Sequence, residues 1–435
     1  SFSPAKKKWI QGKVFINGYY QNAKMKLHGT DPRHHSKKKY SLAVKLSKDS
    51  LNKFRRFRLI KGEDVNPTVI AINKTASSIG MISPFGEMKI LRINGVEMGD
   101  YYFVEDFNKD YLEREHGIIN FAIISQVADW TRKEYYLGRG HLSDNDLYFG
   151  HVEKKKGNFL HPKAVKQYKN LCDHLRSNNI EEIKKLVDVK YIGKYLALAS
   201  IFNDIHFMTG DNVKLIYDFD KGKFYPIYRA EFLGSGVISS KKSSFPNYNK
   251  LLFKHNVSGY DMSITKLYSL LLTDDDVRNE RDKALNLIIN HKDQFIKKLR
   301  QTYQDNKNVM LQTNRSRRNY HINKLEQIEL VNTTLSLAKD YLNYAHVYGS
   351  YDSSSHELNL LIDAFSSFSI QHSKGILVNK THGITFDKEF NLNYNYELLD
   401  DLPDSFDLDD MFFVNNITGD TITDHIHINY ISSFN

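Results

Sequence analysis

The spacing of apolar residues predicts a β-rich first part of the chain. Apolar and polar positions alternate, with the period of half-buried strands, in five segments: 13–16, 23–27, 38–46, 88–93 and 100–105. Asn-Gly pairs between the first two segments and between the last two predict tight hairpin turns. One helical pattern, 66–79, lies inside this part and ends at Gly80.

From residue 109 the apolar period becomes helical. The predicted helices cover 109–115, 163–176, 180–186, 189–202, 261–272, 275–298 and 315–342. A hairpin of 213–219 and 223–227 interrupts them, and short alternating segments return beyond about residue 345, at 375–379, 384–387 and 422–430. We therefore expect an α+β protein with three parts: a β-rich 1–108, a mainly helical 109–310, and a helix with a β-rich extension in 311–435.

Composition fits a globular chain of two or three domains. The chain has 435 residues, of which 41% are hydrophobic and 26% charged. No run of 18 apolar residues occurs, so we expect no membrane span, and no signal peptide is visible. The single cysteine, Cys172, cannot form an internal disulfide, and we expect it to be a small buried residue.

The net charge of +10 is unevenly distributed along the chain. Residues 1–60 contain sixteen Lys and Arg against Asp31 and Asp49, whereas 397–410 contains seven acidic and no basic residues. The basic front either pairs with the acidic rear or meets an anionic surface partner. Nucleic acid is disfavoured as this partner because the aromatic stacking pattern of an RNA-binding sheet is not evident.

Candidate chemistry is concentrated in the middle of the chain. Asp204 follows the predicted helix 189–202, Asn212 precedes the central hairpin, and Glu231 follows it. A carboxylate near an acceptor hydroxyl, with an amide and a second carboxylate as oxygen ligands for a divalent metal, suits phosphoryl transfer. The alternative is that these residues only mark turns, as Asn, Asp and Gly usually do.

Two further candidates lie in the first part of the chain. Arg33 lies in a predicted loop, and Lys37 and Lys38 open the strand 38–46, where a lysine can hold nucleotide phosphates; a solvated basic loop is the alternative. Glu105 ends the strand 100–105, next to the start of the helical part, and would lie at the hinge of a two-lobed protein. The alternative is that Glu105 is an exposed acid at the end of a strand.

The chain contains three ordered blocks: Met25-Lys26-Leu27-His28-Gly29-Thr30 with Arg33 and Lys37-Lys38-Lys39-Tyr40; Asn73 through Ile79-Gly80-Met81-Ile82-Ser83-Pro84; and Ile93-Asn94-Gly95 through Gly99-Asp100-Tyr101-Tyr102-Phe103-Val104-Glu105. Together they resemble the CotH kinase family, the secreted atypical protein kinases similar to spore coat protein H. The resemblance runs from about Lys13 to Leu299 and leaves out the tail. It is carried by the order of the blocks more than by any one of them.

The resemblance implies a two-lobed atypical protein-kinase-like fold that transfers phosphate from ATP to a protein hydroxyl with Mg²⁺ or Mn²⁺. It also implies a secreted protein or one at the cell or spore surface. Lys37 or Lys38, with Arg33 nearby, would hold the ATP phosphates, and Glu105 would lie at the hinge. Asp204 would be the catalytic carboxylate, and Asn212 and Glu231 would be metal ligands.

The chain departs from the family pattern at Tyr228-Arg229-Ala230-Glu231, where the family has a Trp/Tyr-Asp-x-Asp motif. Arg229 stands in place of the first Asp and Glu231 in place of the last. At ~6 Å and an effective dielectric constant near 20, an arginine and a divalent cation repel by several kilocalories per mole before screening. The departure leaves a second hypothesis open, a pseudokinase or surface binding module with the same fold and an altered metal site.

Overall fold

The computed structural model describes part of the chain. The described residues are 8–16, 18–28, 35–36, 39–47, 54–62, 65–105, 107–126, 150–153, 162–202, 214–230, 267–268, 270–313, 328–329, 331–336, 338 and 342, together with the backbone of eight strands between 345 and 431. The protein is of the α+β class, with antiparallel sheet and helices in the first 313 residues.

A six-stranded antiparallel sheet forms the first part of the fold. In chain order its strands are β1 Ile10–Ile16, β2 Tyr19–Leu27, β5 Leu42–Leu46, β6 Arg56–Lys61, β7 Gly86–Ile93 and β8 Val96–Glu105. Their order across the sheet is β1-β2-β5-β6-β8-β7, which places β1 and β7 at the edges. Two short strands, β3 His35–Ser36 and β4 Lys39–Tyr40, pair beside it. The buried side chains of one face, including Val44 and Phe57, form a core of their own.

Two helices cover half of the opposite face of this sheet. Helix α1, Pro67–Ser78, starts at Asn66, whose side chain accepts a hydrogen bond from Thr68 N. A later helix, α7 (Lys292–Thr313), is joined to β7 because Asn306 Oδ1 accepts a hydrogen bond of 2.7 Å from Met88 N. The half of this face on β2, β5 and β6 carries basic side chains instead.

A second antiparallel sheet follows the first, with the strand order β10-β9-β11-β12. Its strands are β9 Phe121–Gln126, β10 Gly150–Glu153, β11 Lys214–Asp218 and β12 Lys223–Pro226. Helix α2, Lys109–His116, connects the two sheets and ends at Gly117, whose φ of 65° gives the left-handed conformation that glycine adopts readily.

Four further helices lie in this part of the described chain, three of them in contact with the second sheet and the last packed on the third helix. They are α3 Pro162–Arg176, α4 Ile180–Leu186, α5 Val189–Phe202 and α6 Asp275–Asn290. Helix α5 is buried on nearly all sides from Ile192 onward, which explains its apolar sequence. Cys172 of α3 is buried in the same core, as expected.

The described strands from residue 345 onward form two four-stranded sheets. One has the order β17-β14-β13-β20 and the other β16-β15-β18-β19. The eight strands are β13 Ala345–Asp352, β14 Glu357–Ala364, β15 Phe368–Asn379, β16 Ile384–Asp387, β17 Asn391–Tyr396, β18 Asp407–Asn415, β19 Thr421–Ile422 and β20 Ile426–Ile431. The β-rich character of the tail was predicted, but β13, β14, β17 and β18 were not.

Several sequence-based predictions need correction. The strand predicted over 38–46 is divided at Ser41 into β4 and β5, and the helix predicted over 275–298 is two helices that meet at His291. The region from residue 109 is not only helical, because β9 and β10 join the central hairpin in a sheet. Helices α4 and α5 have the predicted bounds.

The close packing of α5 on α6 gives a stability prediction. A Cβ placed on Gly193 would lie 2.6 Å from Glu280 C and 2.7 Å from Arg281 N, both backbone atoms that cannot move aside cheaply. We expect Gly193→Ala to destabilise the fold by about 1–3 kcal/mol through overpacking, measured by urea unfolding followed by circular dichroism. Lys190→Ala, at an exposed position one turn earlier, is the control. Equal unfolding midpoints for the two variants would contradict the packing seen here.

Candidate active site

A cleft of about 590 Å³ lies between the two sheets. Strands β2, β5 and β6 of the first sheet line one side of it. Ile123 and Lys214 of the second sheet line another side, and Phe107 and Asn108, of the segment that joins the sheets, also line it. The volume is in the range of pockets that enclose a small organic ligand. The cleft lies where a bound molecule would contact both sheets and the segment between them.

The lining of the cleft is strongly basic. Among the described residues that line it, six are Lys or Arg and none is Asp or Glu: Lys24, Lys26, Lys45, Arg56, Arg58 and Lys214. His28 and Trp9 also line it, and Lys26 Nζ lies 4.8 Å from the centre of the Trp9 ring. A cleft of this charge attracts anions, and phosphate groups most strongly.

The strand register explains why these cations share one face. Lys24 of β2 is directly opposite Lys45 of β5, which is directly opposite Arg56 of β6. Two residues along, Lys26 is opposite Ala43, and Ala43 is opposite Arg58. Directly opposed residues of antiparallel strands point to the same side and approach to about 5 Å, where like charges destabilise each other. An anion in the cleft would remove this repulsion.

Lys39 lies close to this sheet and has a defined partner. Its Nζ lies 3.1 Å from Asp100 Oδ1, and both side chains are largely buried. The same Nζ lies 5.1 Å from the centre of the Tyr101 ring. Lys39 is therefore part of an internal ion pair of the first sheet.

Glu105 is the last residue of β8, directly before the segment that joins the sheets. Its carboxylate is buried, and Oε2 accepts a hydrogen bond of 2.7 Å from Arg114 Nη2 of α2. The interpretation of Glu105 as an exposed strand-end acid is thus wrong. The pair fixes α2 to the end of β8, and Glu105 is not among the residues that line the cleft.

The described residues that flank the three central candidates belong to one core. Phe202, which ends α5 two residues before Asp204, is buried with Leu215 of β11 and with Tyr228 and Ala230. Ile227 N donates a hydrogen bond of 2.9 Å to Lys214 O, which continues the central hairpin beyond Pro226. The described residues nearest in sequence to Asp204, Asn212 and Glu231 therefore belong to the same core.

The segment before Glu231 is held by Asn73 of α1. Asn73 Oδ1 accepts a hydrogen bond of 2.8 Å from Ala230 N, and Asn73 Nδ2 donates one of 3.3 Å to Ala230 O. Both residues are buried. The side-chain amide thus pairs with both polar groups of the backbone at Ala230, as a neighbouring strand would, and ties α1 to the residue that precedes Glu231.

Tyr191 of α5 strengthens the same connection. Its hydroxyl accepts a hydrogen bond of 3.0 Å from Ile82 N and donates one of 2.8 Å to Pro226 O. Tyr228 N also donates to Ile82 O at 2.8 Å. Burial raises the pKa of Tyr191 well above its ordinary value, so its hydroxyl stays protonated and able to donate at every physiological pH.

Six predicted site residues lie outside the described residues: Arg33, Lys37, Lys38, Asp204, Asn212 and Glu231. Their roles stay predictions, as does that of Glu105 in binding a nucleotide. Asp218 ends β11, and Phe219 and Asp220 lie in the turn of the central hairpin, where Asp218 Oδ1 accepts hydrogen bonds from Asp220 N and Lys221 N.

The cations of the cleft were not singled out from the sequence. Their signal is alternation: Lys24 with Lys26, and Arg56 with Arg58, each lie two positions apart among apolar residues. That pattern places each pair on one side of its strand. Only the register across β2, β5 and β6 shows that both pairs and Lys45 face the same cleft.

No grouping of three or more His, Cys, Asp or Glu suited to holding a metal ion occurs among the described residues. Within that same part of the chain, none of the helices has the length and apolar character needed to cross a membrane. A scan of the sequence against models of protein families returns no match, and a search of curated proteins also returns none.

The Asn73 contact gives a local prediction. Asn73→Ala would leave the buried N–H and C=O groups of Ala230 without their side-chain partners, at a cost of about 1–3 kcal/mol. We expect faster amide hydrogen exchange in 226–230, measured by mass spectrometry, together with a lower unfolding midpoint. Lys74→Ala, the next residue of α1, is the control and should leave exchange in this segment unchanged. Unaltered exchange in Asn73→Ala would show that the amide does not hold the segment.

Proposed function

We propose that the chain is an atypical protein kinase similar to the CotH family, which transfers the γ-phosphate of ATP to a Ser or Thr hydroxyl of a protein. The observation that supports this most is the basic cleft between the two sheets. On this proposal the first sheet and the region after it are the two lobes of a kinase-like fold. The triphosphate lies against the cations of β2, β5 and β6.

The charge of the cleft suits a triphosphate. ATP carries about four negative charges near neutral pH, and phosphate oxygens bind Lys and Arg through short charge-assisted hydrogen bonds. Six cations line the cleft, so they can compensate that charge. Asn108 and Phe107, at the junction of the sheets, would contact the base end of the nucleotide.

The proposed chemistry is an in-line transfer. The acceptor hydroxyl oxygen attacks the γ-phosphorus, the bond from that phosphorus to the β–γ bridging oxygen breaks, and ADP leaves. Asp204 accepts the hydroxyl proton. Asn212 and Glu231 would hold Mg²⁺ or Mn²⁺ through amide and carboxylate oxygens, the ligands that these ions prefer, and the metal would neutralise phosphate charge. Asn73 would position the backbone directly before Glu231.

A second candidate function is a pseudokinase that binds nucleotide without metal, or a surface binding module. Two observations favour it: Arg229 stands where the family has an Asp, and the cleft already contains enough cations to hold a triphosphate. Either function fits the expected place of the protein, secreted or at a cell or spore surface, which remains part of the proposal.

Phosphoryl transfer tests the first candidate. We expect transfer from γ-labelled ATP to a protein acceptor or to the chain itself in the presence of Mg²⁺ or Mn²⁺. Asp204→Ala should lower the rate by about 10²–10⁴-fold because it removes the proton acceptor. Asp173→Ala, an exposed carboxylate of α3, should not change it. Transfer by Asp204→Ala at the wild-type rate would exclude the proposed mechanism.

Nucleotide binding tests the cleft and separates the two candidates. We expect Lys45→Ala/Arg56→Ala to weaken ATP binding by tenfold or more, on the order of 1.4 kcal/mol, measured by isothermal titration calorimetry. Lys297→Ala/Lys298→Ala, on the exposed side of α7, removes the same charge and should have no effect.

The metal dependence of this binding decides between the functions. A kinase should bind ATP more tightly with Mg²⁺ or Mn²⁺ than with EDTA, whereas the pseudokinase should bind it equally well with EDTA. Restored transfer in Arg229→Asp/Glu231→Asp would also support the pseudokinase. Equal ATP affinity of the wild type and Lys45→Ala/Arg56→Ala would refute the cleft as the nucleotide site in both cases.

A further inference from the structure

The β1–β2 hairpin has an unusual surface for a folded protein. Of the ten large apolar side chains that are exposed in the described part of the chain, six lie between residues 9 and 27: Trp9, Ile10, Phe15, Tyr19, Tyr20 and Leu27. Tyr20 is 75% and Phe15 59% exposed. Clustered exposed apolar side chains mark interaction surfaces, while scattered ones do not.

These side chains occupy both faces of the hairpin. Phe15 is directly opposite Tyr20, and their ring centres are 5.0 Å apart on the face that carries the basic residues. Tyr19 is opposite Ile16, on the other face. A ligand that lies flat on the basic face would leave the second set of apolar side chains uncovered.

The hairpin is also an edge of the first sheet. In the part of the chain that the structure describes, β1 pairs only with β2, so every second N–H and C=O group of β1 points away from the sheet. An exposed edge strand is a template for another strand, which gains its backbone hydrogen bonds and contacts both faces at once.

The positive charge of strands β1, β2, β5 and β6 indicates which kind of partner can bind at the β1 edge. Strands β1, β2, β5 and β6 contain no Asp or Glu, and Lys13 of β1 lies on the same face as Lys24 and Arg56. Pairing of β1 with β1 of a second copy would bring two such basic faces side by side, which like-charge repulsion opposes. Single-stranded nucleic acid would use the basic face and its aromatic pair but neither the backbone edge nor Tyr19.

We infer that the β1 edge binds an extended acidic segment of a partner protein, which adds a strand to the first sheet. Its acidic side chains meet Lys13 and the neighbouring cations on the basic face, and its apolar side chains cover Ile10 and Tyr19 on the other face. The surface is distinct from the nucleotide cleft, because Lys13, Phe15 and Tyr20 do not line it. The inference does not require the proposed kinase activity.

Binding of a defined peptide tests this inference. The probe is a fluorescent twelve-residue peptide of alternating Glu and Val, titrated with the full chain at low salt and followed by fluorescence anisotropy. We expect binding that weakens as salt rises. Ile10→Ser/Lys13→Glu should weaken it about tenfold, because the double change removes an exposed apolar contact on one face and reverses a charge on the other. Lys89→Glu/Val96→Ser alters an exposed cation and an exposed apolar residue of the β7–β8 hairpin and should have no effect.

Three further probes make the result decisive. The same peptide N-methylated at alternate residues cannot form strand hydrogen bonds and should not bind, and neither should an alternating Lys-Val peptide. Equal binding of the methylated probe, equal affinity of the two double variants, or binding of a twelve-nucleotide oligothymidine in place of the Glu-Val peptide would each overturn the inference. ATP titrations of the same variants separate the test of this inference from the test of the proposed function. A protein that binds the peptide but not ATP would count only against the proposed function.

Discussion

The arrangement of the candidate site depends on one buried contact, the pairing of the Asn73 side chain with the backbone of Ala230. It joins α1, which covers the first sheet, to the chain segment that continues from the central hairpin of the second. Buried backbone groups must be satisfied, so Ala230 cannot leave this position without the loss of both hydrogen bonds. Tyr191 and Tyr228 bind the neighbouring Ile82 in the same way, so the two parts are fixed by several polar contacts rather than by apolar packing alone.

The basic wall of the cleft is a second constraint on the fold. Lys24, Lys45 and Arg56 lie directly across from one another, an arrangement that weakens strand pairing unless counter-ions or a ligand are present. The first sheet compensates with an apolar core on its other face, where Val44 and Phe57 alternate with these cations. On β2, β5 and β6 the apolar contacts thus lie mainly on one face, which leaves the other face of these strands able to carry a concentration of positive charge.

The sequence predicted those features that local pattern determines. Helices α4 and α5 were predicted with the correct bounds, because their apolar periods and flanking polar residues are local signals. The basic wall was not predicted, because it depends on which strands become neighbours and in what register. The same limit applies to Glu105: its place at the end of a strand was predicted from alternation, but its burial depends on Arg114, nine residues later on a helix. Asn73 was noticed within a motif, and nothing local indicated that its partner is Ala230.

Arg229 is related both to the buried contacts at Ala230 and to the charge of the cleft. It lies between Tyr228 and Ala230, two buried residues held by Ile82 and Asn73, so the backbone around it is defined even though its chemistry departs from the expected pattern. An aspartate at this position would add a negative charge to a site that, on the proposed function, already receives a triphosphate. An arginine adds a positive one, as do the six cations of the cleft. On the proposed function, arginine and lysine would therefore take over part of the charge compensation that a divalent metal supplies in kinases.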